Sequence, residues 1–128
     1  MAGKTSYRVG VALTALPVLF LIFDGGIKLS GLPVVAESMT QLGYPAETTL
    51  GIALLEIACL TLYLVPRTSV LGAVLLTGYL GGAIATHVRV GNPLFSHVLF
   101  PTYIAAMLWG GLFLREQRLR LLLPLRVV

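Results

Sequence analysis

A few ionisable side chains interrupt a sequence that is otherwise strongly apolar: Asp24, Lys28, Glu56, His87 and His97. Glu56 lies in the middle of an apolar run over residues 46–65. A charge at the centre of a membrane helix costs about 2.5–3.5 kcal/mol on insertion scales, so it marks a functional site or a buried pair. Thr49, Ala53, Cys59 and Tyr63 fall on the same helix face as Glu56, and that small, polar stripe should point inward. Asp24 and Lys28 are four residues apart and share a face, which suits a local ion pair. A carboxyl and an imidazole can exchange protons, and an ammonium can steady developing negative charge. Glu56, His87 and Lys28 are therefore the candidate catalytic residues. Asp24, Lys28, His87, Arg89 and His97 come from three helices yet lie at one depth, a polar funnel with Glu56 toward its floor. Asp24, His97, Arg89 and Tyr79, which can line that funnel or anchor at the interface, are candidate ligand-binding residues, and the family resemblance given below adds Thr86. The competing reading is a buried network that fixes helix register, with His97 facing water and Arg89 a solvated loop charge.

The elements that carry these residues follow from composition. The chain has 128 residues, 57% hydrophobic and only 11% charged, with a formal charge of +4. So few charges cannot cover a water-soluble surface, and the solvent for most of the chain is lipid. The expected fold is all-α: an integral membrane four-helix bundle in a single domain, residues 1–128. The expected spans are residues 9–29, 46–65, 70–86 and 94–114, each near the ~20 residues that cross a bilayer. Pro17 should kink the first. Lys4 and Arg8 with Val34-Val35-Ala36 faintly resemble a signal peptide, but Asp24 and Lys28 interrupt it, so a retained helix is expected. Residues 33–42 read as a short amphipathic interfacial helix, with Val34, Val35, Met39 and Leu42 near one face, Pro33 at its start and Gly43 at its cap. Residues 115–128 read as a basic interfacial tail.

With four spans, Lys4, Arg8, Arg67, Arg115, Arg118, Arg120 and Arg126 fall on one side, and only Lys28 and Arg89 on the other. The positive-inside rule then places both termini in the cytoplasm. The basic excess sits at the ends of apolar runs, which argues for orientation and against nucleic-acid binding. Gly78 and Gly82, and likewise Ala106 and Gly110, are spaced to let helices approach closely, within the chain or between copies. The lone Cys59 excludes an intramolecular disulfide and a cysteine-based metal site. Its expected role is packing. His87 and His97 offer the minimum for two axial haem ligands but without a specific spacing, so haem is disfavoured and no metal is expected.

Several short stretches together resemble one family. Phe23-Asp24-Gly25-Gly26-Ile27-Lys28-Leu29 looks like its small-Gly-x-Lys end of span one. Leu42-Gly43-Tyr44-Pro45 resembles its entry to span two, and Gly51-Ile52-Ala53-Leu54-Leu55-Glu56 its G-x-x-x-x-E helix. Pro66-Arg67-Thr68 is similar to its short turn, and Gly81-Gly82-Ala83-Ile84-Ala85-Thr86-His87 to its GA-x-x-T-H motif. The set covers residues 15–115 and is similar to the DoxX-like membrane proteins. The resemblance implies a four-helix membrane fold in a bacterial cytoplasmic (inner) membrane, and singles out Lys28, Glu56, Thr86 and His87. Asp24 departs from the small residue usual there. The family name comes from a subunit of a thiosulfate:quinone oxidoreductase, which does not by itself transfer chemistry. Three functions compete: an oxidoreductase or its subunit acting on a quinone or other lipid-soluble small molecule; a non-catalytic scaffold subunit bound to a partner or to its own copies; and a small carrier or lipid-ligand-binding protein. The sequence names no cofactor beyond the quinone that the first reading admits.

Overall fold

A computed structural model describes residues 2–128; among them there are helices and turns and no strand. Helix α1 spans Ala2–Leu29. It begins before residue 9, the expected start, because nothing in Gly3-Lys4-Thr5-Ser6-Tyr7-Arg8 breaks a helix, and Lys4 and Arg8 extend it into solvent. Pro17 lies inside α1 and is fully buried. Gly31, at φ +72°, turns the chain into α2 (Pro33–Gln41). Pro33 takes the first turn, where its missing N–H leaves no bond unmade. The Gly43 and Tyr44 amides donate to the Thr40 and Met39 carbonyls, the double bond of a Schellman cap. Such a cap needs a left-handed residue, and Gly43 supplies it at φ +85°.

Helix α3 runs over Thr48–Leu64. Val65 is extended, as the residue before Pro66 must be, and a single 3₁₀ turn at Pro66–Thr68 leads into α4 (Ser69–Arg89). The expected third span stops at residue 86, but His87, Val88 and Arg89 are helical. The stop signal is Gly91 at φ +74°, where the Gly91 and Asn92 amides cap the Val88 and His87 carbonyls. The expected fourth span, 94–114, is in two pieces. One wide π-helical turn covers Leu94–Val98, and α5 covers Phe100–Arg115 with Pro101 in its first turn. In the tail, the Glu116 side chain accepts from the Arg118 amide and starts a one-turn α6 (Gln117–Arg120).

Helix α1 packs on α3 and α5, and α4 packs on the same two, so the four long helices form a ring with α1 and α4 diagonally opposed. Leu21, Leu60, Tyr63, Leu76, Ile104 and Leu108 fill its centre. The outside is apolar: Leu16, Leu19, Phe23, Leu54, Leu71 and Val74 are exposed while Glu56 is 0% exposed. This inverted polarity is what lipid as solvent requires. The stretches Gly3–Leu29, Pro66–Arg89 and Leu94–Arg115 are long and apolar enough to cross a membrane; Thr48–Leu64 is apolar but shorter.

The close approaches are made by other glycines than Gly78 and Gly82. A Cβ added at Gly72 would collide with the Tyr63 backbone, and one at Gly111 with Thr14; at Gly78, Gly81 and Gly82 it would meet nothing within 4 Å. Ala106 is exposed. Glycine is required where α3 and α4 leave a turn too tight for them to diverge, which places it at position 72. Gly72→Ala should therefore lower stability by about 1–3 kcal/mol through overpacking. Gly81→Ala should be neutral or stabilising, because alanine is the better helix former. Thermal unfolding of both variants in detergent, followed by circular dichroism, checks the contrast.

Candidate functional site

Lys28 lies one turn beyond Asp24 on α1, near the end of the ring that carries α2. Its ammonium donates to three oxygens: Asp24 Oδ2 at 2.5 Å, Tyr79 OH at 2.8 Å and Glu56 Oε2 at 2.9 Å. All three of its N–H donors are thereby used. Tyr79 OH in turn donates to Glu56 Oε2 at 2.9 Å. The cluster ties α1 to α3 and, across the diagonal, to α4. Gly25 makes this possible: a side chain there would press on Ile57, and its Cβ position is 3.8 Å from the Glu56 carboxyl carbon. Glu56 Oε1 is buried with no hydrogen-bond partner. One ammonium faces two carboxyls, so the cluster is one proton short of neutrality.

Beside the cluster is a cavity of about 680 Å³, walled by all four long helices and by α2. Asp24, Lys28, Tyr79, Thr86 and His87 contribute polar groups; most of the remaining wall is apolar, including Phe20, Ile52, Phe100 and Ile104. The expected polar funnel is thus a mainly apolar chamber with a polar edge. Glu56 is not part of the wall and meets the cavity only through Lys28 and Tyr79. Gly78 and Gly82 form wall surface, and the missing side chains are part of the space. Ser38 lines the cavity together with Val34, Val35, Met39 and Leu42.

Thr86 accepts from or donates to Tyr44 OH at 2.6 Å, and bonds the Gly82 carbonyl at 2.8 Å. Since its hydroxyl proton goes to that carbonyl, Tyr44 is the donor. His87 Nδ1 lies 2.7 Å from Asn92 Nδ2, and its ring packs edge-to-face on His97 at 5.8 Å between centroids. His97 and Arg89 do not reach the cavity. His97 is exposed, with Nδ1 2.8 Å from Ser96 Oγ. Arg89 donates to the Leu42 carbonyl at 3.1 Å, so it clasps the end of α2 to α4 and is not a free loop charge. Tyr44 and Ser38, which line the cavity, are not among the candidate residues read from the sequence. The signals for Tyr44 are its place in the Leu42-Gly43-Tyr44-Pro45 motif and directly after a capping glycine.

A DoxX-like family model matches residues 12–111. The chain belongs to the DoxX-like family. No curated protein and no solved structure matches it. The DoxX-like match takes in every residue of the Lys28 cluster and of the cavity wall, and ends before Arg115.

Removing one partner from a buried ion pair leaves the other uncompensated, at about 3–5 kcal/mol. Lys28→Met should destabilise this DoxX-like protein by that order. Adding Glu56→Gln to Lys28→Met should recover part of the loss, since the second substitution removes the stranded carboxyl. A double-mutant cycle on denaturant unfolding in micelles measures the coupling, and purely additive effects would mean that the two residues do not form a pair.

Proposed function

We propose that this protein crosses a bacterial cytoplasmic membrane four times, with both termini in the cytoplasm, and binds a lipid-soluble small molecule in the cavity beside Lys28. The observation that carries the reading is a largely apolar chamber whose polar edge is an ammonium and a phenol backed by a buried carboxyl. Its volume falls inside the ~300–1,000 Å³ typical of small-molecule sites. A molecule that is apolar over most of its length and carries an oxygen at one end fits that division. A quinone is the sharpest case. On binding, Lys28 would exchange one of its three present hydrogen bonds for one to that carbonyl oxygen, and Tyr79 would turn its proton from Glu56 to do the same.

In the oxidoreductase form of the reading, a partner subunit supplies or takes two electrons. Glu56 and His87 then exchange the two protons that a quinone gains on reduction, and Lys28 steadies the charge on its oxygen between those steps. Helix α3 is about 26 Å long, a few Å under a typical hydrocarbon core. A mismatch that small is met by local thinning of the bilayer. The cytoplasmic assignment rests on Lys4, Arg8, Arg67 and the tail arginines at the end opposite to Lys28 and Arg89.

A second reading is a scaffold subunit that packs on a partner or on its own copy. Gly81, Ala85 and Ala106 are exposed small residues on the outer surface, the composition that membrane helix interfaces use.

Gly82→Leu separates the two. It fills part of the cavity without touching the packed core, so it should weaken retention of a bound quinone by about tenfold or more, the equivalent of 1.4 kcal/mol. Mass spectrometry of extracts from the purified protein reads this directly. A wild-type protein that carries no small molecule, together with loss of a co-purifying chain in Gly81→Leu, would decide for the scaffold.

A further inference from the structure

We infer that the basic end of the bundle is a docking surface for anionic phospholipid, with lipid phosphates held by its arginines and the tail after α5 laid along the headgroup layer. Lys4, Arg8, Arg67, Arg118 and Arg126 are exposed at this end. Among the described residues both ion pairs are made by Lys28, so no cation here is paired with a carboxylate. The one acidic side chain at this end, Glu116, accepts from the Arg118 amide. Two further arginines are fixed in place by neutral oxygens. Arg115 is half-buried and donates to Thr14 Oγ1 and Tyr63 OH. Arg120 donates to the Phe113 and Leu114 carbonyls at the end of α5. A guanidinium has five N–H donors in a planar fork that suits phosphate. The donors that these contacts do not use, and the charge itself, are left for a partner outside the chain.

The surface around the cations decides what that partner is. Leu121, Leu122, Leu123, Leu125 and Val127 are exposed, Leu125 most of all at 81%. Leu119 is buried in the bundle core and pins the start of the tail. Arginines 118, 120 and 126 thus alternate with open leucines over a single short segment. A fitting partner offers anionic oxygens and hydrocarbon at the same place. An anionic phospholipid carries both in one molecule, and segments that mix arginine with large apolar residues lie at that boundary. Free phosphate or a nucleic acid would leave the leucines in water.

Depth along the bundle agrees. The Arg115 Cγ stands 2.8 Å from where a Gly10 side chain would begin, so Arg115 is level with that part of α1. Lys4 lies six residues earlier on the same helix, which spreads these cations over about 9 Å of its axis. One headgroup layer is about 5–8 Å thick. Inward of the cations, Val11, Leu16 and Leu19 are exposed and suit the acyl chains. The inference needs this end to stand in a headgroup layer. It does not depend on what fills the large cavity, nor on which side of the membrane the termini face.

The test follows the depth of the tail in lipids of different charge. The full-length chain carrying Cys59→Ala and Leu125→Cys is labelled with an environment-sensitive fluorophore. It is then placed in nanodiscs of phosphatidylcholine, or of phosphatidylcholine and phosphatidylglycerol in equal parts. Quenching by acrylamide, which is uncharged, should be at least about threefold weaker in the anionic mixture, because a negative surface attracts each nearby arginine. Arg118→Gln together with Arg126→Gln should remove that difference while circular dichroism shows the helices intact. Equal quenching in the two lipids would overturn the inference. Quenching that is weak in both, and rises when each nanodisc holds a single copy, would assign the tail to a second chain and overturn it as well. Should the labelled variant fail to fold, native mass spectrometry of the unsubstituted chain released from the mixed nanodiscs takes its place. Phosphatidylglycerol should be retained in preference to phosphatidylcholine, and less so with both arginines replaced; retention in the proportions of the mixture would again sink the idea.

Discussion

The structure turns on one mostly shielded ammonium group. Two carboxyls and a phenol converge on Lys28 from three helices, and each would be costly in hydrocarbon without it. This sets conditions on the rest of the chain. Helix α3 must turn its Glu56 face inward and leave Leu54 and Leu55 for lipid. Position 25 must be small, so that α3 can approach α1. Tyr79 must project across the diagonal of the ring. A rotation of any one helix by a residue would strand a polar group, so the cluster selects one register whether or not it also serves chemistry. The proposed binding site uses an arrangement that folding already demands.

Glycine has two separate uses here. Gly10, Gly72 and Gly111 are in contact with neighbouring backbone or side chains and draw helices together. Gly78 and Gly82 touch nothing and leave space. Gly31 and Gly43 adopt left-handed conformations on either side of α2, which lets a nine-residue helix lie across the cavity with Met39 buried beneath it. Tyr44 and Arg89 fasten its C-terminal end to α4 through Thr86 and the Leu42 carbonyl.

Much of this was legible in the sequence, for identifiable reasons. The helical class and the apolar spans follow from composition and run length, which no tertiary contact overrides. The family was legible because its motifs include Gly43-Tyr44-Pro45 and Thr86-His87, where backbone and side-chain constraints coincide. Asp24, Lys28, Glu56 and Tyr79 were singled out because polar groups in apolar runs are conspicuous. The role of each glycine was not legible. Spacing places Gly78 and Gly82 on one face but cannot say whether that face meets a helix or a void. The reach of Arg89 was hidden too, since a loop arginine and a helix-end arginine that clasps a carbonyl look alike until Gly91 is known to set the helix end. Depth alone grouped His97 and Arg89 with the site, and depth carries no direction around the helix axis.

The position of the cavity follows from how the two ends of the ring are closed. At the basic end, Gly10 and Gly111 bring the α1 and α5 backbones into contact. Arg115 completes the closure by donating to Thr14 Oγ1 at 3.2 Å and Tyr63 OH at 3.3 Å, while Tyr63 donates to the Leu108 carbonyl at 2.6 Å. Toward the other end, the same two helices are separated by an edge-to-face pair of rings, Phe20 and Phe100, with centroids 5.0 Å apart. Two glycines hold helices closer than two phenylalanines can, and the cavity lies at the end where the rings stand, beside Lys28. A larger residue at position 10 or 111 would press on the Gly111 or Gly10 carbonyl and wedge the closed end open. The cavity is therefore a property of the far end of the bundle as much as of the residues that line it.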